Sequence, residues 1–150
     1  MYWILLVIVI VIVIVGTWWL RGRSAPLQTA ALTVGTAQFT AEIADTIPLR
    51  ERGLSGRERL EDGYGILFVF GSPAQHAFWM KGMRFALDFV WIRDGRVIGV
   101  TENVPPYAEG GSLVPQLYYP PSEADRVLEL NAGEIGKGKI KIGDTVSVVH

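Results

Sequence analysis

Hydrophobic and polar positions along this chain fall into two regimes. From Tyr2 to Leu20 the residues are uncharged and dense in Val and Ile, and the run ends at Arg21 and Arg23. An apolar run without a polar face suits lipid better than the surface of a small soluble domain. About nineteen residues at about 1.5 Å rise make a helix of roughly 28 Å, close to the hydrocarbon thickness of a bilayer. A single transmembrane anchor is therefore expected over residues 1–20, with Tyr2, Trp3, Trp18 and Trp19 placed as interfacial aromatic belts. A cleaved signal peptide is the competing reading. It calls for a basic start and a small-residue cleavage site, whereas no Lys or Arg precedes the run and Trp18, Trp19 and Leu20 close it.

After a tether over residues 21–29, the pattern changes to alternation with a period of two. Leu32 and Val34 lead to Gly35-Thr36, after which Ala37, Phe39, Ala41 and Ile43 alternate with Gln38, Thr40 and Glu42, the mark of a hairpin. Thr46 and Pro48 open a short helix that Gly53 stops. Ser55 and Glu58 have the spacing of a capping box, which predicts a second helical turn reaching Leu60. Ile66 to Phe70 reads as a buried strand. Lys137, Lys139 and Lys141 read as the solvated side of a strand whose Ile140 and Ile142 face inward, before Gly143-Asp144 turns the chain into Thr145 to Val149. The segment from Asn103 to Ser122 has no period and many prolines. A loop of about twenty residues in a small domain is usually functional or disordered, and Tyr107, Tyr118 and Tyr119 favour partial packing, as a flap over a site or a cover on a sheet edge.

The strongest local signal is Asp94-Gly95 between the runs 87–93 and 96–101, because both central positions of a type I′ turn need positive φ. If Arg93 pairs with Arg96, then Leu87, Phe89, Trp91, Ile98 and Val100 share one face, and Asp88 lies opposite Thr101 with space left by Gly99. Both faces are largely apolar, so the sheet should be closed or covered on each side. A carboxylate at the end of an apolar face must be hydrogen-bonded or paired. Asp88 is therefore either a structural acceptor for Thr101 and nearby backbone NH groups, or a ligand-binding or acid/base group.

Composition narrows the chemistry. The net charge is −1, with Lys and Arg scattered among Asp and Glu and no basic stripe, so nucleic acid is not an expected partner. With no cysteine and only His76 and His150, a zinc site of the nitrogen and sulfur type lacks ligands, and no metal or cofactor is expected. Ser55 is not set as a nucleophile elbow, and 133–138 lacks the spacing and hydroxyl of a P-loop. Residues 30–150, some 120 in number, suffice for one domain with its own core.

Several segments carry a family resemblance. Gly53-Leu54-Ser55-Gly56-Arg57 with Leu60, then Gly65-Ile66-Leu67-Phe68-Val69-Phe70, then Phe78-Trp79-Met80-Lys81 running to Leu87-Asp88, resemble in order and spacing the family known as domain of unknown function 192. Val127 to Gly133 and Ile142 to Val146 resemble its closing elements. Ser55, Gly82-Met83 and Ala86 depart from the residues common in that family. The resemblance implies a mainly β domain with a barrel-like antiparallel or mixed sheet and short helices, often in secreted or membrane-attached proteins, and lends no established activity.

The expected site is a groove. Alternation places Trp79 and Lys81 on one side of their segment and Phe78 and Met80 on the other, one pair forming core. An aromatic face beside an ammonium group can hold a polar or anionic ligand, with Arg57 and Asp88 completing a polar set if the fold brings them there. The reading that follows is a membrane-tethered binding or accessory domain at the cell envelope, for a small molecule, a glycan or an envelope protein. The alternative is a small enzyme with Asp88 as acid or base and Lys81 or Arg57 stabilising an anion. Arg21 and Arg23 taken alone would put the domain in the cytoplasm; the family resemblance favours the outside.

Overall fold

Among the described residues, glycine turns and two-residue alternation organise the chain into seven strands of one sheet. The computed structural model describes residues 28–107 and 115–149; the expected anchor at 1–20 and nearly all of the tether lie outside them. Among the described residues no helix is long and apolar enough to cross a membrane. Strands β1 (Thr29–Val34) and β2 (Ala37–Ala44) form the first hairpin, with Val34 opposite Ala37. Helix α1 (Ile47–Arg52) carries the chain over to β3 (Tyr64–Ala74), which pairs parallel to β2. Strands β4 (Leu87–Arg93) and β5 (Arg96–Val104) form the Asp94-Gly95 hairpin, and both turn residues have positive φ, 49° and 69°. Strand β6 (Ala124–Asn131) lies between β3 and β4, helix α2 (Glu134–Gly138) follows, and β7 (Val146–Val149) pairs with β1.

The strand order is β5-β4-β6-β3-β2-β1-β7. The two edges of this sheet meet at one end, where Val97 N–H donates to the Asp144 carbonyl, Gly143 N–H to Val97 and Val146 N–H to Gly95. Edge groups that would otherwise need water are paired there, and the sheet curls into a half-barrel. Its concave side holds one core cluster to which every strand contributes, including Leu32, Leu67, Val90, Ile92 and Leu128. The convex side carries a second cluster in which Phe68, Phe89 and Trp91 are roofed by Leu54, Phe78, Met80 and Met83. Both faces of the central strands are thus covered, as their double-sided apolar pattern requires.

Three local expectations are corrected. Ser55 does not cap a helical turn; its hydroxyl donates to the Lys81 carbonyl, while Glu58 pairs with Arg84. Residues 139–142 are not a strand, because α2 ends at Lys139 in the left-handed region and Ile140 is buried while Ile142 is 67% exposed. The Asp94-Gly95 hairpin begins in the expected register, with Arg93 opposite Arg96, but then slips by one residue at Ile98. Trp91 therefore faces Gly99, and Val100 joins the concave cluster beside Val90. A bulge of this kind moves every later side chain to the other face.

The slip explains Gly99 differently from the space it was expected to leave for Asp88. A Cβ there would lie 2.7 Å from Pro121 Cγ and 3.3 Å from Trp91 Cδ1, so the glycine admits the proline segment that crosses the hairpin. Tyr118 in the same segment pairs with Phe78 through two backbone hydrogen bonds. This part of the long loop covers the convex face. Gly99→Ala is expected to lower unfolding free energy by about 1–3 kcal/mol, the usual cost of forcing atoms into a filled space. A denaturant midpoint unchanged from the parent would show that Pro121 can move aside.

Candidate functional site

The segment Phe78 to Lys81 behaves as its alternation predicts. Phe78 and Met80 are buried, whereas Trp79 is 50% exposed and Lys81 is exposed with its Nζ 5.5 Å from the centre of the Trp79 ring. Phe78 anchors the segment by edge-to-face contacts with Phe68 and Trp91, at centroid distances of 5.0 and 5.6 Å. Helix α1 is fastened alongside, because the Arg50 guanidinium donates to the carbonyls of Asp45 and Val69 at 2.6 and 2.8 Å and lies over the Phe70 ring. His76 stacks on the same ring at 3.5 Å. Between the helix, strand β3 and the 76–79 segment is a cleft of about 480 Å³. Its walls include Phe68, Phe70, Phe78 and Trp79, its rim Arg50, Glu51 and Arg52, and its base Glu129.

Glu129 is placed there by strand parity. Leu128 and Leu130 point into the concave core, so Val127 and Glu129 point to the convex side, opposite Ile66 on β3 and Phe89 on β4. The side chain is 5% exposed, and among the described residues it has no hydrogen-bond or ion-pair partner. Burial pushes its carboxyl up to about 8, with no neighbouring charge contributing. The deprotonated form of such a group is costly unless something supplies hydrogen bonds or opposite charge. Glu129 did not stand out in the sequence. It sits in Val127-Leu128-Glu129-Leu130, a strand with apolar residues on both sides, and a carboxylate in such a run raises the same question that Asp88 does.

The other three residues expected around Trp79 have separate surroundings. Asp88 points into the concave side and is fully buried. Its Oδ1 accepts from Asn103 N–H at 2.8 Å, and its Oδ2 from Gly133 and Ile135 N–H at 2.9 and 3.0 Å. The Thr101 hydroxyl, the other partner considered for Asp88, accepts from the Trp91 indole N–H. Arg57 forms a bidentate pair with Glu42 at 2.8 and 2.5 Å, and that hydrogen bond raises the guanidinium above its ordinary value. Lys81 stays with the Trp79 ring outside the cleft lining. Of the four, Trp79 alone lines the cleft. Among the described residues no group of three or more His, Asp or Glu side chains is arranged to hold a metal ion.

A curled, mixed seven-stranded sheet with two short helices and an aromatic cleft on its convex face defines a mainly β, barrel-like domain. The chain belongs to the DUF192 family, described as "Uncharacterized ACR", whose model matches residues 30–148. Solved structures are similar too, among them these two. One, from Sinorhizobium meliloti 1021 and provisionally described as a transcription regulator, is 27% identical with a TM-score of 0.75, over 84% of this chain and 98% of that one. The other, a protein of unknown function from Novosphingobium aromaticivorans DSM 12444, is 30% identical with a TM-score of 0.73, over 83% and 93%. No curated protein matches the chain.

Proposed function

We propose that the domain is a binding module, held at a membrane by residues 1–20, that takes a small molecule into the cleft beside Trp79. The observation that carries this reading is Glu129, a buried carboxyl with no partner among the described residues, at the base of a cleft walled by four aromatic rings. A cleft of this size, in which aromatic walls meet a set of polar groups, is suited to a small molecule. Strained titration equilibria of this kind are also concentrated at functional sites. The acid/base alternative gains nothing from this geometry, since both oxygens of Asp88 already accept backbone hydrogen bonds and Arg57 is occupied by Glu42.

Fragment soaking of crystals of residues 30–150 tests the site. Density is expected in the cleft against Trp79 and Glu129, and density confined to lattice contacts would remove the proposal. The tether is tested separately by adding protease to intact cells. Digestion of the domain is expected if it faces outward as the family resemblance favours; protection would place it on the inner side.

A further inference from the structure

Two features of the cleft together point to the class of ligand, an inference that rests on the binding reading above. The first is the mismatch at its base. Glu129 has room for a partner on the cleft side, and among the described residues no cation serves it: Arg50 is bound to two carbonyls and Phe70, while Lys81 lies over Trp79 outside the lining. Rings share that space, since Phe68 and Phe78 line the same cleft and Phe89 is the neighbour of Glu129 on β4. Ring faces and a carboxylate are the two surroundings that an ammonium group prefers when it leaves water. The protein's own cations already use the outer rings in this way, Arg50 over Phe70 at 5.3 Å and Lys81 over Trp79 at 5.5 Å.

The second feature is the rim. Arg52 is exposed in the last turn of α1, lines the cleft, and forms no ion pair or side-chain hydrogen bond among the described residues. A guanidinium there favours an anionic group at the mouth. We propose that the cleft binds a small zwitterion, with its ammonium head against Glu129 beside the rings of Phe68 and Phe78 and its acidic tail at Arg52. Because burial keeps Glu129 protonated at neutral pH, an arriving ammonium ion displaces a proton to solvent and leaves a carboxylate paired with the ligand. The other titratable groups around the cleft are Arg50, Glu51 and Arg52 on α1 and His76 in the 76–79 segment; β3 and β4 present Ile66, Phe68 and Phe89 to Glu129.

The full-length chain, kept in a mild non-ionic detergent, would be titrated calorimetrically with glycine, 4-aminobutyrate and 6-aminohexanoate, and with butylamine and butyrate as single-charge controls. At least one zwitterion of the series is expected to bind at least tenfold more tightly than either control. Measurements at pH 7 in two buffers of different ionisation enthalpy should find about one proton released per ligand bound. Affinity should rise roughly fiftyfold from pH 6 to pH 8, following the ionised fraction of Glu129. Glu129→Gln should abolish the proton release and weaken the zwitterion at least tenfold, while Arg52→Gln should bring its affinity down to that of butylamine. Retention of the pH dependence in a His76→Asn variant is expected and assigns it to Glu129.

Butyrate binding as tightly as the zwitterions, or binding without proton release in the parent protein, would overturn the proposed ligand class. So would a series in which no zwitterion binds. A neutral sugar or fragment seated in the cleft in that case leaves the binding module standing and removes only the zwitterion; a cleft that stays empty with every probe removes both.

Discussion

Replacing Glu129 with Gln is expected to make the domain more stable in alkali and to remove much of its pH dependence. The sign follows from linkage. Burial holds the carboxyl of Glu129 at about 8 in the folded protein, against an ordinary value of 4.5. Its contribution is complete below the unfolded value near 4.5 and is lost as pH rises through the folded value near 8, because in that window the folded state keeps a proton that the unfolded chain has released. The accumulated loss is roughly 3–5 kcal/mol, or at least about 10 °C in Tm for a domain of this size. Gln preserves shape and cannot ionise, so near pH 4 the two proteins should be similar and at pH 9 the variant should melt well above its parent. Thermal melts of both from pH 4 to pH 9 check this. Parallel curves would sink the assignment of Glu129 as a buried acid without a partner. A side chain that costs stability at working pH persists where it serves the site, and this links the stability measurement to the binding reading.

Asp88 should show the opposite response to substitution. Its carboxylate fastens the end of β5 through Asn103 and the start of α2 through Gly133 and Ile135, so it joins two segments far apart in sequence. In Asp88→Asn one oxygen becomes an NH2 group that faces a backbone donor whichever way the amide is turned, and a loss of roughly 1–3 kcal/mol is expected. Asp88→Ala leaves all three N–H groups without their acceptor and should cost more, about 3–5 kcal/mol. Urea unfolding with unchanged m-values is the measurement. A midpoint unaltered in both variants would mean that water replaces the carboxylate, contrary to a site with no solvent exposure.

These two carboxylates also show how far the sequence could be read. Strands β1 to β5, the crossover helix and the Asp94-Gly95 turn were legible because each depends on neighbouring residues, a period of two, an apolar run rich in β-formers, a proline at a helix start or a pair of positive φ values, whereas β6 had no such pattern and 139–142 was misread as a strand. The alternation in Phe78 to Lys81 likewise separated the buried from the exposed pair. Asp88 was recognisable as a buried carboxylate in need of a partner. That backbone N–H groups would serve it was legible too, but not that Gly133 and Ile135 supply two of them, because these reach Asp88 only through the pairing of β4 with β6. The slip at Ile98 has no cue in the hairpin itself, since it is Pro121, from outside, that fills the space over Gly99. The cleft was the least visible feature. Its base comes from β6, its walls from β3 and the 76–79 segment, and its rim from α1, and only the sheet order brings them together.

The pairing of β7 with β1 has a consequence for biosynthesis. β1 is the first strand of the domain to leave the ribosome and β7 the last, yet they are neighbours, and the junction of the two sheet edges also depends on residues 143–146. Until the final stretch emerges, β1 is paired on one side only, with β2, and its other edge presents bare N–H and C=O groups. The concave core likewise stays open, because Ile135, Ile140 and Val146 are among its members. Completion of the barrel therefore waits for the last strand of the domain, and until that strand is in place the nascent domain exposes the free edge of β1.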